Sequence, residues 1–195
     1  MVFLYYDRRI IEMGLEFKEL LEEYTFNITE QDVFNWFKIR RRFPHEFHTQ
    51  TPSIEVINSY DGESQHRGIF DSEGYVDEYK VMNYYEKGHT IIISNVFDLT
   101  EELRMFESAI SDVFAFYPVK GNLYWSKSCD GGFSSHDHPL YDVYVKQIYG
   151  TSHWVLNETD DVILPPDDVL YIPKATKHYV KSTDGPRLSL TINML

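Results

Sequence analysis

Residues 131–156 read GGFSSHDHPLYDVYVKQIYGTSHWVL, and this stretch decides the fold. A polar, glycine-rich segment leads into two strand-like runs, Tyr141–Tyr149 and His153–Leu156, which are rich in valine and aromatic residues. Further runs of this kind, separated by turn residues, lie on both sides: Asn122–Ser126, Asp161–Leu164, Val169–Pro173, Tyr179–Ser182 and Arg187–Asn193. Several short strands at this spacing predict an all-β sandwich or barrel in the C-terminal half.

Helical patterns dominate the N-terminal part of the chain. A loose apolar stripe predicts a first helix through Leu15, Leu20, Leu21 and Tyr24. A second helix starts at Thr29, whose hydroxyl can cap it while Asp32 occupies the third helical position. We expect residues 1–75 to form a helical and irregular extension that packs on a core domain of residues 76–195.

The middle of the chain mixes both kinds of element. Polar sequence over residues 44–76 predicts loops and short strands, with one strand at Ile54–Ile57. A helix closed by Gly88 and a buried strand within residues 89–96 follow. Thr100 then caps a helix with one apolar face, formed by Leu103, Phe106, Ile110 and Val113.

Composition limits the classes of protein that fit. The chain has 195 residues, 43% of them hydrophobic, which is enough for a folded core. No apolar run approaches the ~18–20 residues of a membrane span, and the N-terminus lacks the pattern of a signal peptide. A single cysteine, Cys129, excludes an internal disulfide and a thiolate zinc cage. The net charge of −13 disfavours nucleic acid, so we expect a cytoplasmic protein without membrane or nucleic-acid partners.

Three of the eight histidines are candidate metal ligands. His136 and His138 lie two residues apart, and such residues on an extended chain point to the same face. His178 follows a strand well downstream, and a third ligand from a distant strand is how small β-barrels build metal sites with open positions. The other candidates are interpreted as ordinary surface or structural histidines: His45, His48, His66 and His89.

From Val81 to Met194 the chain resembles the JmjC-type, cupin-fold Fe(II)/2-oxoglutarate oxygenases, and within them the ribosomal-oxygenase-like protein hydroxylases. The similar segments occur in the family's order: YYEKGHTIIISNV, PVKGNLYWS, GGFSSHDH, YDVYVKQIYGTSHWVL, DDVLYIPKATKH and RLSLTI. The resemblance implies a mainly β fold with flanking helices. Its core would be a double-stranded β-helix of the jelly-roll or cupin type, preceded by a helical N-terminal segment.

The resemblance also implies a ligand set with one open choice. His136 matches the family's first metal ligand and His178 the last. The family has an aspartate where this chain has His138, and the acid Asp137 lies one residue earlier. Either His138 completes a three-imidazole site, or a bulge turns Asp137 inward to complete a 2-His-1-carboxylate triad. We prefer His138, because the period-two geometry of an extended chain points Asp137 outward.

The implied cofactors are Fe(II), 2-oxoglutarate and O2, although imidazoles also suit zinc or nickel. Family members pair the distal carboxylate of 2-oxoglutarate with a basic residue at the position that Ser152 occupies here. Arg187 is the substitute that we expect, with Ser189 as its Arg-x-Ser partner and Tyr124 as an added hydroxyl. If Arg187 does not bind the carboxylate, Lys146 and Lys181 are the next candidate cations. The alternative interpretation of Arg187 is a charged residue at a strand edge, and that of Tyr124 is an ordinary core tyrosine.

The predicted function is an oxygenase that uses 2-oxoglutarate to hydroxylate a C–H bond of a protein or peptide side chain. A free amino acid or another small molecule is an alternative substrate, and the oligomeric state is left open. Two other classes compete with this prediction. One is a three-histidine cupin enzyme that does not use 2-oxoglutarate, which fits His138. The other is a non-catalytic binding module that retains only the barrel.

Overall fold

A computed structural model describes residues 2–37, 54–57, 66–114, 119–127 and 134–194. Four α-helices are formed within these residues: α1 (Val2–Glu23), α2 (Glu30–Phe37), α3 (Glu78–Glu86) and α4 (Glu101–Val113). The strands within the same residues are β1 (Ile54–Ile57), β2 (Thr90–Ser94), β3 (Val119–Ser126), β4 (Asp142–Tyr149), β5 (Ser152–Leu156), β6 (Asp160–Leu164), β7 (Val169–Ile172), β8 (His178–Thr183) and β9 (Arg187–Met194). The predicted strands of the C-terminal half are therefore confirmed, with ends that differ by a few residues.

The strands form two antiparallel sheets whose inner faces enclose a cavity. The larger sheet has the order β1-β2-β3-β9-β4-β7, and the smaller has the order β6-β5-β8. Side chains alternate along strand β9, so one face of the larger sheet packs in the apolar core and the other lines the cavity. Leu188, Leu190 and Ile192 belong to the apolar core, whereas Arg187 and Thr191 line the cavity between the sheets.

Helices cover the outer face of the larger sheet. Phe17 and Leu21 of α1 are fully buried, and the ring of Phe17 packs 4.6 Å from that of Tyr144 on β4. Leu15 was expected in this stripe but is 52% exposed, because the buried face of α1 passes through Phe17 instead. Val113 was expected on the apolar face of α4 but is 61% exposed at the last position of that helix.

The predicted caps determine where the helices begin and end. Thr29 Oγ1 accepts a hydrogen bond from the Asp32 backbone N–H at 3.2 Å, and Asp32 Oδ2 accepts one from the Thr29 N–H at 2.8 Å. Thr100 Oγ1 caps α4 through the Leu103 N–H at 3.3 Å. Gly88, with φ of 84°, closes the C-terminal end of α3. These local signals act within one turn of helix, so the sequence predicts them reliably.

The part before residue 76 contributes to the same sheet as the rest of the chain. Strand β1 pairs with β2 from Ile54 opposite Ile93 to Ile57 opposite Thr90. Cys129, His45 and His48 lie outside the described residues. Within the ranges that the structure describes, no helix has both the length and the apolar character that crossing a membrane requires.

Candidate metal centre

The histidines are brought together by a short antiparallel ladder between two segments distant in sequence. His136 and His178 form a bridge in which each backbone N–H donates to the other's carbonyl, at 3.2 and 2.8 Å. The Ala175 N–H donates to the His138 carbonyl at 2.9 Å, and the Lys174 N–H donates to Asp142 Oδ1 at 2.8 Å. The backbone therefore holds the segment before β4 against the start of β8.

The three imidazoles form one cluster in the lining of the cavity. The ring centroid of His136 lies 5.1 Å from that of His138 and 4.5 Å from that of His178, and the last two are 5.2 Å apart. One ring nitrogen of each residue lies within 4.8 Å of the other two. Asp137 is exposed and does not belong to this group.

Two of the rings have their tautomers set by backbone carbonyls. His136 Nδ1 lies 3.0 Å from the Ser134 carbonyl oxygen, and His178 Nδ1 lies 2.8 Å from that of Thr176. A carbonyl oxygen only accepts hydrogen bonds, so each Nδ1 carries the proton when its ring is neutral. The lone pair of each neutral ring is then on Nε2, as in metal-ligating histidines whose other nitrogen donates to the protein.

The third ring has a different neighbour, the phenol of Tyr141. Its hydroxyl oxygen lies 2.9 Å from His138 Nδ1, and the two rings stack with centroids 4.7 Å apart. A hydroxyl can donate or accept, so this contact leaves both tautomers of His138 accessible. From the sequence, Tyr141 was expected only as part of a strand and not as a site residue.

Burial favours the neutral form of two of these rings, His138 and His178. Desolvation, followed by the proximity of His136 and His178, lowers the pKa of His138 to about 4. Desolvation also lowers the pKa of His178, which is 3% exposed, although the hydrogen bond to the Thr176 carbonyl acts in the opposite direction. Neutral imidazoles carry the lone pairs that a metal ion needs, so the cluster is suited to bind a cation at neutral pH.

The cavity behind the histidines has a volume of about 300 Å³, the lower end of the range for small-molecule sites. Strand register places Arg187 at its other end. Val143, near the start of β4, pairs with Asn193, whereas the last paired residue of β4, Tyr149, pairs with Leu188. Because the histidine segment enters at the start of β4, the imidazoles and Arg187 lie towards opposite ends of the cavity.

A chain of hydrogen bonds fixes the guanidinium of Arg187. Its Nε donates to Ser126 Oγ at 3.1 Å and its Nη1 donates to Ser189 Oγ at 3.3 Å. The Ser189 hydroxyl donates to Gln147 Oε1 at 2.8 Å, and this oxygen also accepts from the Ser152 hydroxyl at 3.0 Å. Arg187 is only 1% exposed, so a full positive charge lies at the buried end of the cavity.

The remaining cosubstrate candidates differ in their placement. Tyr124 lines the cavity, and burial raises the pKa of its phenol to about 12, so it stays protonated. Ser152, at the family's basic position, lies within the network of Gln147. Lys146 donates to the Asp167 carbonyl at 2.7 Å and is not a cavity residue, and Lys181 forms an exposed ion pair with Asp161.

Sequence reasoning missed several polar residues of the cavity wall. Asn122 and Thr191 face each other across β3 and β9, and Asn193 pairs with Lys120 in the same manner. Their signal was available in the alternation of both strands: Lys120 and Asn122 alternate with Tyr124 on β3, and Thr191 and Asn193 alternate with Arg187 on β9. Glu55 on β1 also lines the cavity, but its position depends on pairings across three strands.

Comparison with known proteins identifies the fold. No family model matches the chain, and no curated protein matches it. Among solved structures, the ribosomal oxygenase YcfD of Escherichia coli matches 89% of the chain with a TM-score of 0.58 and 13% identity. The chain has a cupin fold. It spans 45% of the YcfD chain, so it corresponds to less than half of that protein.

Two cupin structures match a shorter part of the chain. A cupin superfamily protein from Desulfitobacterium hafniense DCB-2 covers 40% of this chain, over 67% of its own length, at 22% identity and a TM-score of 0.35. A cupin protein from Bacteroides fragilis covers 44%, over 72% of its own length, at 18% identity and a TM-score of 0.37.

Proposed function

We propose that this cupin protein is a metal- and 2-oxoglutarate-dependent oxygenase that hydroxylates a C–H bond. The observation that carries the proposal is one cavity with three imidazoles towards one end and a buried arginine towards the other. A ligand with a chelating head and an anionic tail matches this arrangement, and 2-oxoglutarate has both parts.

The donor set fits a divalent metal ion. His136, His138 and His178 would hold it through Nε2, since the Nδ1 of each ring faces a protein oxygen. With metal–nitrogen bonds of about 2.1 Å, two ligating nitrogens lie at most about 4.2 Å apart. The present separations, within 4.8 Å, therefore need only small ring rotations to close round an ion. Fe(II) is the metal that we propose, by likeness to the oxygenases.

Three neutral imidazoles change the charge of the site relative to a triad with a carboxylate. A divalent ion retains its full charge of about two units, rather than one, which strengthens the attraction for an anionic chelating ligand. The open coordination positions would face the cavity, because the three imidazoles line it. When bound, the metal and 2-oxoglutarate supply an oxidative decarboxylation that is coupled to substrate hydroxylation.

The residues of the chain itself bind and orient the cosubstrate. Arg187 would pair with the distal carboxylate, for which a planar guanidinium is the best geometric match. Ser126 and Ser189 hold that guanidinium in place, so little ordering is required when the carboxylate arrives. Tyr124, protonated at neutral pH, would add a hydroxyl donor.

The proposed substrate is a protein or peptide side chain, with a free small molecule as the alternative. The cavity lining includes polar groups that can contact such a substrate, among them Lys120 and Asn95. A net charge of −13 favours a basic partner over nucleic acid.

A second candidate function follows from His138. A cupin enzyme that binds its metal through three histidines and does not use 2-oxoglutarate would have this ligand set. Thermal unfolding of chelator-stripped protein with zinc or manganese and 2-oxoglutarate, added separately and together, separates the candidates. Stabilisation by both together that exceeds the sum of the two supports the oxygenase. Stabilisation by metal alone supports the second candidate, and no stabilisation supports a binding module.

A further inference from the structure

The Tyr141 hydroxyl beside His138 can both donate and accept a hydrogen bond, unlike the two backbone carbonyls that contact the other imidazoles. Ser134 and Thr176 offer carbonyl oxygens to His136 and His178, and these contacts allow one tautomer of each neutral ring. His138 Nδ1 instead faces a hydroxyl at 2.9 Å. In the neutral rings of His136 and His178, the Nε2 lone pair is therefore always available to a metal ion, whereas in His138 it is available in only one of two tautomers.

In the metal-free cluster, electrostatic interactions favour the tautomer of His138 that carries its proton on Nε2. His136 and His178 direct their lone pairs towards the space that the three rings share. A third lone pair there would repel the other two, whereas an N–H at that position is attracted to them. In that state His138 Nδ1 is an acceptor, and the Tyr141 hydroxyl donates to it.

Binding of a metal ion reverses this contact. The Nε2 of His138 must lose its proton to ligate, and a neutral ring then carries the proton on Nδ1. The Tyr141 oxygen becomes the acceptor of that N–H. The hydrogen bond is retained in both states, but its direction changes.

We propose that Tyr141 is the positioning residue of the metal centre, and that its hydroxyl switches from donor to acceptor as His138 changes tautomer on metal binding. This inference rests on the proposed metal site. The ring of Tyr141, stacked on His138, holds the orientation of the imidazole, and its oxygen accepts the Nδ1–H of the tautomer that ligates.

The direct test is 15N NMR of the protein labelled at histidine, before and after addition of zinc. The His138 signals are assigned by comparison with His138→Gln. We expect the proton on Nε2 in the metal-free protein and on Nδ1 in the zinc-bound protein. The same tautomer of His138 in both states would overturn the proposal.

Tyr141→Phe removes the oxygen but keeps the ring, and Tyr79→Phe, at an exposed position, is the matched control. A bound cation polarises the imidazole, so the hydrogen bond from His138 Nδ1–H to Tyr141 is stronger in the metal-bound state than the bond from Tyr141 in the metal-free state. Cobalt(II) affinity, followed by the visible spectrum, should therefore fall about 10-fold in Tyr141→Phe and stay unchanged in Tyr79→Phe. Equal affinity and an identical spectrum in both variants would contradict the role of Tyr141. Absence of cobalt and zinc binding in the unmodified protein would instead refute the metal site itself, and this inference with it.

Discussion

Replacing Arg187 by methionine tests the cosubstrate end of the cavity. Methionine retains an unbranched side chain and removes the charge that lies buried against Ser126 and Ser189. Losing one partner of a buried, hydrogen-bonded charge pair costs about 2–5 kcal/mol of binding free energy. The dissociation constant of 2-oxoglutarate for the metal-loaded protein should therefore rise at least about 30-fold.

The effect can be measured as a loss of thermal stabilisation. At a concentration 100 times its dissociation constant, 2-oxoglutarate adds about 2.7 kcal/mol to the stability of the metal-loaded protein. A 30-fold weaker complex adds about 0.9 kcal/mol at the same concentration. For a domain of this size the ligand-induced increase in Tm should be smaller by about 4–7 °C.

The same variant separates binding from folding. A buried charge is costly to desolvate, so Arg187→Met should not lower the Tm of the metal-free protein. Lys181→Met is the control, because Lys181 forms an exposed ion pair with Asp161 and lies outside the cavity. If Arg187→Met keeps the full stabilisation by 2-oxoglutarate, the carboxylate binds elsewhere and the assignment of Arg187 is wrong.

Three other predictions address ligation, backbone geometry and pH. Asp137→Ala should change zinc affinity by less than about threefold, whereas His138→Ala should weaken it by more than about 100-fold in a chelator competition assay. Gly150→Ala should lower the free energy of unfolding, measured by urea denaturation, by more than about 2 kcal/mol. This is the cost of a strained left-handed residue together with a steric clash. The reason is that Gly150 has φ of +71° and an added Cβ would lie 2.1 Å from a backbone carbonyl oxygen. The folded-state pKa of His138, about 4, is below the value of about 6.5 in the unfolded chain. The unfolded state therefore binds more protons, and the stability of the metal-free protein should fall as the pH decreases from 6.5 towards 4.

Each of these predictions has a matched comparison. Gly185→Ala also places a residue at positive φ, but an added Cβ there meets no atom within 4 Å, so its smaller loss isolates the contribution of the clash. Greater metal loss in Asp137→Ala than in His138→Ala would mean that the chain bulges and that the carboxylate ligates. A pH profile that His138→Gln leaves unchanged over this range would show that another group causes the acid sensitivity.

Local sequence signals predicted most of the fold. Alternation and turn residues located the strands of the C-terminal half, because both signals act over a few residues. The caps at Thr29 and Thr100 were visible for the same reason. The buried face of α1 was predicted less well, since choosing Phe17 over Leu15 depends on the angle at which this helix lies on the sheet.

For the site as well, features set by local sequence were predicted and features set by long-range pairing were not. The period-two rule predicted that His136 and His138 share a side, and the exposed position of Asp137 agrees with that rule. The rule does not predict the ladder that aligns His178 with His136, which depends on pairing across about 40 residues of chain. Glu55 was missed because its place at the cavity follows from the registers of β1, β2 and β3 together.

The central claim is that three imidazoles bind one metal ion in the cavity between the sheets, and a crystal structure of the zinc-loaded protein with 2-oxoglutarate tests it most directly. We expect the crystal structure to show one ion about 2.0–2.1 Å from the Nε2 atoms of His136, His138 and His178. The chelating end of 2-oxoglutarate should bind the same ion. An ion held by the Asp137 carboxylate in place of His138, or three rings that remain without an ion at saturating zinc, would contradict it.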